Sequence, residues 1–249
     1  MQIFVCKNSK EIGAVVAGEI AALLRKKPDA VLGLPTGSSP VDTYDALVGC
    51  YQAGTVSFRD ARTFNMDEYI GLASDHPQSF RCFMEEHLFQ HVDIKPENIV
   101  FFNGMAGDIH EECFRYDRLL ADSGGIDFQL AGIGNNGHLA FNEPGPAFSK
   151  TSHIALLTAD TMNANKRFFN SLDEVPTHAF TQGMEQICAA KKIVMVATGA
   201  SKADAVYRMI YGDISPWLPA SLLQTAPDVS VYVDRQLADA VLEHFGASL

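Results

Sequence analysis

The chain has 249 residues, of which 47% are hydrophobic and 20% are charged, and its formal net charge is −11. This composition is typical of a soluble globular protein and argues against intrinsic disorder. The acidic balance argues against a broad nucleic-acid-binding face, so an anionic ligand would have to be held by a few placed cations and backbone N–H groups.

Short apolar runs alternate with amphipathic stretches along the chain. In chain order we predict a strand at residues 2–6, a helix at 9–25, a strand at 30–34, a helix at 39–50, a strand at 63–66 that leads into a loop, a helix at 78–91, a strand at 99–102 and a helix at 109–121. There follow a strand at 128–133, helices at 160–170 and 182–190, a strand at 192–197, a helix at 202–210, a strand at 229–233 and a helix at 235–245. The helix at 39–50 is expected to begin with a capping box, with Ser39 at the N-cap and Asp42 three residues later.

This alternation predicts the fold class α/β, with a Rossmann-like, open, mostly parallel sheet that carries helices on both faces. No linker or low-complexity tract interrupts the pattern, so we expect a single domain over residues 1–249. Strand signals are sparse from about residue 144 to residue 180, and a lid over about 157–180 is one interpretation of this segment.

The cysteines and the apolar runs indicate a cellular location. Five cysteines are scattered without a CxxC pair, a pattern typical of reduced thiols in a cytoplasmic protein. The first residues lack the basic lead and the cleavage site of a signal peptide. Because no apolar run approaches the roughly 20 residues that span a bilayer, we expect a cytoplasmic protein without a membrane partner.

Two segments share the order apolar strand, Thr-Gly pair, small hydroxyl residues and helix; their Thr-Gly pairs begin at Thr36 and Thr198. In an open parallel sheet both loops leave the carboxyl ends of strands, where ligands bind. A glycine there allows close backbone approach, and the N–H groups at the start of a helix favour phosphate. An ordinary strand-to-helix turn is the alternative for the first loop taken alone. The candidate phosphate ligands are Thr36, Gly37, Ser38, Ser39 and Lys202.

The segment FNMDEY, residues 64–69, places two carboxylates at the end of a predicted buried strand. A carboxylate that is partly removed from water has a raised pKa and can act as a base near neutral pH. Asp67 is the candidate base, and the alternative interpretation is a solvated loop start or a helix cap.

The strongest signal is GIGNNGHLAFNEPG, residues 132–145, which surrounds His138 with glycines. Asn136 precedes this histidine by two residues and Glu143 follows it by five, and a histidine oriented by a carboxylate can move a proton near pH 7. The segment contains GxGxxG, but no clear helix follows, so the match argues only weakly for a dinucleotide. His87 and His91 have the i,i+4 spacing of zinc ligands without an evident third ligand, and we predict no metal site.

Together these residues resemble the glucosamine-6-phosphate deaminase (isomerase) family. The matching segments keep the family's order over nearly the whole chain, and they are LGLPTGSSP, FNMDEYIGL, GIGNNGHLAFNEPG, NANKRFF and TGASKADAV. The related 6-phosphogluconolactonases share the Thr-Gly loop and a glycine-rich histidine segment, but they usually lack FNMDEY together with FNEPG.

The resemblance implies conversion of glucosamine 6-phosphate and water to fructose 6-phosphate and ammonia, without a metal or organic cofactor. It implies that Asp67 moves the proton between the carbons that bear the nitrogen and the aldehyde. It also implies that His138, helped by Asn136 and Glu143, opens the pyranose ring. The phosphate site that it implies comprises Thr36, Gly37, Ser38 and Ser39, with Arg167 and Lys202 as cations. From spacing alone, Arg167 fits the packed end of a helix equally well.

Two departures from the family's pattern bear on regulation. Many allosteric, hexameric members have Asp in place of Asn136, and an uncharged Asn can orient His138 without stabilising an imidazolium by charge. Those members bind an effector phosphate through an Arg and a Lys, whose positions here correspond to His153 and Ala155. We therefore expect a monomer or small homo-oligomer that N-acetylglucosamine 6-phosphate does not activate.

Three other functions remain open. A galactosamine-6-phosphate deaminase would use the same chemistry on the epimer. A lactonase would use His138 on water and would not depend on Asp67 in the same way. A sugar-phosphate-sensing regulator would need an added DNA-binding segment, and no helix-turn-helix extension is evident. We therefore expect a small-molecule sugar phosphate as the partner, and no nucleic acid.

Overall fold

The computed structural model of the chain describes residues 1–158, Met162, Phe169, Ser171 and 174–249. Ten strands are assigned: Gln2–Cys6 (β1), Val31–Leu34 (β2), Arg62–Asn65 (β3), Asp67–Tyr69 (β4), Ile99–Val100 (β5), Phe128–Gly132 (β6), His153–Leu156 (β7), His178–Thr181 (β8), Ile193–Ala197 (β9) and Val229–Asp234 (β10). Seven of them form one sheet in the order β1-β10-β9-β6-β2-β3-β5, and all its neighbouring pairs are parallel.

Helices cover both faces of this sheet. In the part of the chain that the structure describes, the α-helices are Ser9–Lys26 (α1), Val41–Gln52 (α2), Phe80–His87 (α3), Ile109–Asp122 (α4), Met184–Cys188 (α5), Ala203–Tyr211 (α6) and Arg235–Phe245 (α7). Apolar residues of α1, α2 and α3 pack with alternate strand residues such as Leu32 and Val194. Those of α4, α5, α6 and α7 pack with the intervening strand residues, such as Val31 and Met195. The predicted open parallel sheet with helices on both faces is therefore confirmed.

The helices of the described residues do not include one that is long and apolar enough to cross a membrane.

A second sheet, which the sequence analysis missed, joins β4, β8 and β7 in antiparallel order. We predicted a loop after residue 66, and this prediction is wrong because Asp67–Tyr69 forms a strand that pairs with β8. The proposed lid over about 157–180 lies mostly outside the described residues, as does most of the helix predicted at 160–170. Residues 178–180 at its C-terminal end belong to β8, which is paired on both sides.

Two predicted helix ends are also corrected. The helix α2 begins at Val41, and its N-cap residue, Pro40, makes no side-chain cap bond, so the expected capping box at Ser39 does not form. The predicted helix at 78–91 is shorter, because α3 ends at His87 and a 3₁₀ helix, Phe89–His91, follows it. The residue between them, Leu88, has φ −141° and ψ −60°, which is outside the helical region.

Candidate active site

The candidate residues lie on segments that follow the carboxyl ends of strands in the large sheet. From β2 the chain proceeds to β3 and β5 on one side, whereas β6, β9 and β10 lie on the other. The loop crevice at such a reversal of strand order is the usual ligand site of an open α/β sheet. The loops after β9, β6, β2 and β3 carry, in this spatial order, Lys202, His138, the residues 36–39 and Asp67.

Contacts at the end of β6 show that the first Thr-Gly loop lies close to Gly132. A Cβ atom on Gly132 would lie 3.4 Å from the Cβ of Ser39, and 4.0 Å from the carbonyl oxygen of Val196 in the neighbouring strand β9, which leads into the second Thr-Gly loop. The Ser39 side chain therefore packs on the end of β6, which is the physical reason that it does not cap α2.

The first Thr-Gly loop is open to a ligand. Gly37 has φ 91°, a left-handed conformation that favours glycine, and it is exposed together with Ser38. The hydroxyls of Thr36, Ser38 and Ser39 form no hydrogen bond with any residue in the described part of the chain. This backbone and these hydroxyl groups can therefore donate hydrogen bonds to a phosphate without losing an internal partner.

The second Thr-Gly loop presents a cation. Gly199 has φ 86°, and its N–H donates to the Asp234 carboxylate at 3.1 and 3.2 Å, which holds the loop against the N-terminus of α7. Lys202 is half-buried, and burial lowers the pKa of its ammonium group. Within residues 1–158 and 174–249 it forms no ion pair. A partly desolvated, unpaired cation suits a bound anion. The other predicted cation, Arg167, lies outside the described residues.

Asp67 is the first residue of β4 and is only 7% exposed. Burial, and secondarily the charge of Glu68, raise the pKa of Asp67 to about 8. Its Oδ1 atom has no hydrogen-bond partner among the described residues, although a buried carboxylate oxygen normally has one. The side chain is therefore suited to exchange a proton near neutral pH.

The second sheet connects Asp67 to the loop of His138. Asp67 is directly opposite Thr181 in the antiparallel pair of β4 and β8, so the two side chains lie on the same face. The Oγ1 atom of Thr181 accepts the N–H of Phe141 at 3.1 Å. The next residue, Gln182, donates its N–H to Met66 at 2.8 Å and accepts the side-chain amide of Asn142 at 2.8 Å. One strand end thus anchors both candidate acid–base groups.

His138 is held by its own loop. Its carbonyl accepts the N–H of Gly134 at 2.9 Å, and a Cβ atom on that glycine would lie 2.2 Å from Cε1 of the imidazole. The imidazole Nδ1 lies 3.5 Å from Oε2 of Glu143. Asn136 donates to the same Oε2 at 2.7 Å and accepts the backbone N–H of His138 at 3.2 Å. Asn136 therefore contacts Glu143 and the His138 backbone.

The opposite side of this loop is fixed by the segment before a 3₁₀ helix, Pro219–Thr225. Gly137 has φ 85°, its carbonyl accepts the N–H of Ala220 at 2.9 Å, and a Cβ there would lie 2.3 Å from Leu218. Thr181 and Leu218, which support the loop, were not predicted from the sequence. Neither residue lies in a motif, so the sequence offered no signal for them.

A cleft of about 630 Å³ lies beside this site and not within it; its lining includes Glu68, Arg81, Phe102 and Asn103. Glu68 and Asp67 are successive residues of β4 and point to opposite faces of the strand. The candidate active site lies on the Asp67 side, because Oδ1 of Asp67 has no hydrogen-bond partner among the described residues, whereas the Glu68 carboxylate accepts three backbone N–H groups.

The profile of the family described as glucosamine-6-phosphate isomerases/6-phosphogluconolactonase matches residues 7–231. The glucosamine-6-phosphate deaminase of Bacillus pumilus (strain SAFR-032) is 44% identical over 236 residues, which cover 95% of this chain and 98% of that protein. The glucosamine-6-phosphate deaminase of Clostridioides difficile (strain 630) is 46% identical over 238 residues, or 96% of either chain.

Solved structures agree with these relatives. A monomeric glucosamine-6-phosphate deaminase has a TM-score of 0.93 and 42% identity, and the match covers 96% of this chain and 100% of that one. The 6-phosphogluconolactonase from Trypanosoma brucei has a TM-score of 0.76 over 96% and 97% of the two chains, but at 20% identity this likeness shows the fold alone. The chain therefore belongs to the glucosamine-6-phosphate isomerase/6-phosphogluconolactonase family.

Proposed function

We propose that the protein converts glucosamine 6-phosphate and water to fructose 6-phosphate and ammonia by aldose–ketose isomerisation with deamination. One observation carries the proposal: a buried carboxyl group whose pKa is raised to about 8, Asp67, and an imidazole–carboxylate pair, His138 and Glu143, are anchored to the same strand end. The open loop at residues 36–39 and Lys202, which forms no ion pair with the described residues, follow the two strands that flank β6 in the sheet, β2 and β9, and they suit the phosphate.

Ring opening is assigned to His138. The pyranose must open before a C1 aldehyde exists that can acidify the C2–H bond. His138 takes the proton of the C1 hydroxyl and returns a proton to the ring oxygen as the C1–O5 bond breaks. Glu143, 3.5 Å from Nδ1, stabilises the imidazolium that forms in between. Asn136 holds this carboxylate in place through its amide.

The proton transfer between carbons is assigned to Asp67. As carboxylate it removes the C2 proton; the C1–C2 double bond forms, the carbonyl π pair moves onto the C1 oxygen, and this oxygen takes a proton from the substrate's ammonium group, which gives an enolamine. Asp67 then returns its proton to C1 while the nitrogen lone pair forms the C2–N double bond, which leaves a protonated imine at C2. Water adds to this imine and ammonia leaves, so the products balance. The ammonium group of the bound substrate favours the carboxylate form, and the raised pKa favours its reprotonation.

Regulation and location are part of the proposal. We infer a monomer or small homo-oligomer without activation by N-acetylglucosamine 6-phosphate, acting in the cytoplasm in N-acetylglucosamine catabolism. The support is that Ala155 is 7% exposed and packs with Tyr69 and Phe141, so it presents no cation at the surface. A close structural relative is described as monomeric.

The test is a coupled assay for ammonia and fructose 6-phosphate with the purified protein. Glucosamine 6-phosphate should release both products in equal amounts, and the N-acetylated sugar phosphate should release neither, because an amide nitrogen is a poor leaving group. Faster turnover of galactosamine 6-phosphate would replace the proposed substrate with its epimer. Hydrolysis of 6-phosphogluconolactone without ammonia release from either amine would contradict the proposal.

A further inference from the structure

The residue that follows Asp67 has an unusual set of partners. Glu68 is 2% exposed, and its Oε1 atom accepts the N–H groups of Tyr69 and Phe80, each at 2.9 Å. Its Oε2 atom accepts the N–H of Arg81 at 3.0 Å. Phe80 and Arg81 form the first turn of α3, whose positive end favours a carboxylate. This side chain therefore ties β4 to a helix.

The tie matters because β4 is a short edge strand. It is three residues long, and its partner strand among the described residues is β8. The residue before it, Met66, donates its N–H to the carbonyl of Leu34 at 3.2 Å, and its other side faces α3, where the Glu68 carboxylate makes the hydrogen bonds. The position of Asp67 thus depends on β8, on the Met66–Leu34 bond and on the bonds of Glu68 to α3.

We propose that Glu68 is a positioning residue for Asp67, which it serves by bonding β4 to the first turn of α3 and by placing a second negative charge next to the base. The inference rests on the proposed function, because that function gives Asp67 its role.

The charges around the two carboxyls are consistent with this role. Burial raises the pKa of Glu68 to about 7 although three N–H groups oppose the change, and Glu68 adds to the raised pKa of Asp67. The Arg81 guanidinium bonds Oε1 of Glu85 at 2.8 and 2.5 Å, so it is committed to another carboxylate. Among the described residues, the phenols of Tyr44 from α2 and Tyr116 from α4 interact electrostatically with Asp67, and that of Tyr69 from β4 interacts with both carboxyls.

The experiment compares Glu68→Gln with the wild-type protein in two measurements. The first follows the infrared band of protonated carboxyl groups against pH in the unliganded protein. The titration step that is absent in Asp67→Asn belongs to Asp67, and we call it the Asp67 step. In E68Q the midpoint of this step should move down by about one pH unit, because the neighbouring charge is gone. The second measures turnover of glucosamine 6-phosphate, and kcat should fall about 10-fold to 100-fold with little change in KM, because the base is misplaced.

Ser79→Ala is the matched control. The Ser79 hydroxyl accepts the N–H of Cys82 at 3.0 Å and caps the same end of α3, so its loss weakens that helix end without removing the Glu68 charge. S79A should lower the melting temperature and leave the Asp67 step in place. Glu68→Asp keeps the charge but is too short to reach α3, so it should lower kcat while the Asp67 step stays high.

An unchanged Asp67 step in E68Q, or an equal displacement of it in S79A, would overturn the proposal. A kcat of E68D equal to that of the wild-type protein would also overturn the proposal. This measurement is still possible if E68Q does not fold. The infrared titration needs no turnover. If the wild-type protein released no ammonia, the proposed function would fail while this titration still reported whether Glu68 acts on Asp67.

Discussion

Replacing Gly134 by alanine should misplace the His138 imidazole and leave the fold intact. Gly134 is not among the residues with positive φ, so its backbone conformation accepts a Cβ atom. That atom would lie 2.2 Å from Cε1 and 2.4 Å from each ring nitrogen of His138, whereas ordinary contact begins at 3.4 Å. The ring must therefore withdraw by about 1.2 Å, the difference between 3.4 and 2.2 Å.

A displacement of about 1 Å at a reacting group costs about 100-fold in rate, or about 2.7 kcal/mol of transition-state stabilisation. We expect G134A to lose about this much kcat for glucosamine 6-phosphate, with KM nearly unchanged because the phosphate loops do not move. The 3.5 Å approach of Nδ1 to Glu143 should also lengthen.

The assay is the coupled release of ammonia and fructose 6-phosphate, with circular dichroism to verify folding. Gly145→Ala is the control in the same segment, because its Cβ would meet only the carbonyl oxygen of Glu143, at 3.8 Å. G145A should retain wild-type kcat. Full activity in G134A would refute the assignment of ring opening to an imidazole packed on this glycine.

Four further predictions concern the site. Asp67→Asn should abolish ammonia release while an open-chain substrate analogue still binds with nearly the wild-type Kd; calorimetry and the coupled assay measure both. His138→Gln should slow turnover of the cyclic substrate more than solvent exchange of an open-chain analogue, and equal losses would remove His138 from ring opening. Lys202→Ala should raise KM about 10-fold to 150-fold, since a hydrogen bond to a charged group contributes about 1.5–3 kcal/mol; an unchanged KM would place the phosphate elsewhere. The free energy of unfolding should fall as pH rises from about 4 to about 8, because folded Asp67 keeps its proton to about pH 8 whereas the unfolded side chain loses it near 4; denaturant titrations should show a weaker fall in D67N.

The central strands of the large sheet were predictable because they are buried on both faces and read as apolar runs. The run at 193–197 is of this kind, the run at 229–233 departs from it only at Ser230, and each precedes a helix with a clear apolar face. The second sheet was not predictable from such a pattern. The strands β4 and β8 have three and four residues, and they mix charged and apolar side chains whose pairing partners lie more than 100 residues apart in sequence.

The motifs predict candidate acid–base residues, but they do not predict the residues that hold these candidates in place. Asp67 and His138 stand out by residue type at strand ends, whereas Thr181 contributes one side-chain oxygen in an otherwise ordinary segment. The prediction of Ser39 as a helix cap was wrong. The sequence pattern of a hydroxyl residue before proline is typical of a helix N-terminus, but it does not include tertiary contacts. Tertiary packing on Gly132 decides the position of Ser39 instead.

The convergence of Asp67 and His138 on one sugar phosphate is tested most directly by a crystal structure with the reduced open-chain amino sugar phosphate, in which an alcohol replaces the aldehyde. We predict that its phosphate contacts residues 36–39 and Lys202, that C2 faces the Asp67 carboxylate, and that the alcohol end lies towards His138. Binding of the analogue in the cleft beside Glu68, or with C2 remote from Asp67, would contradict the proposed mechanism.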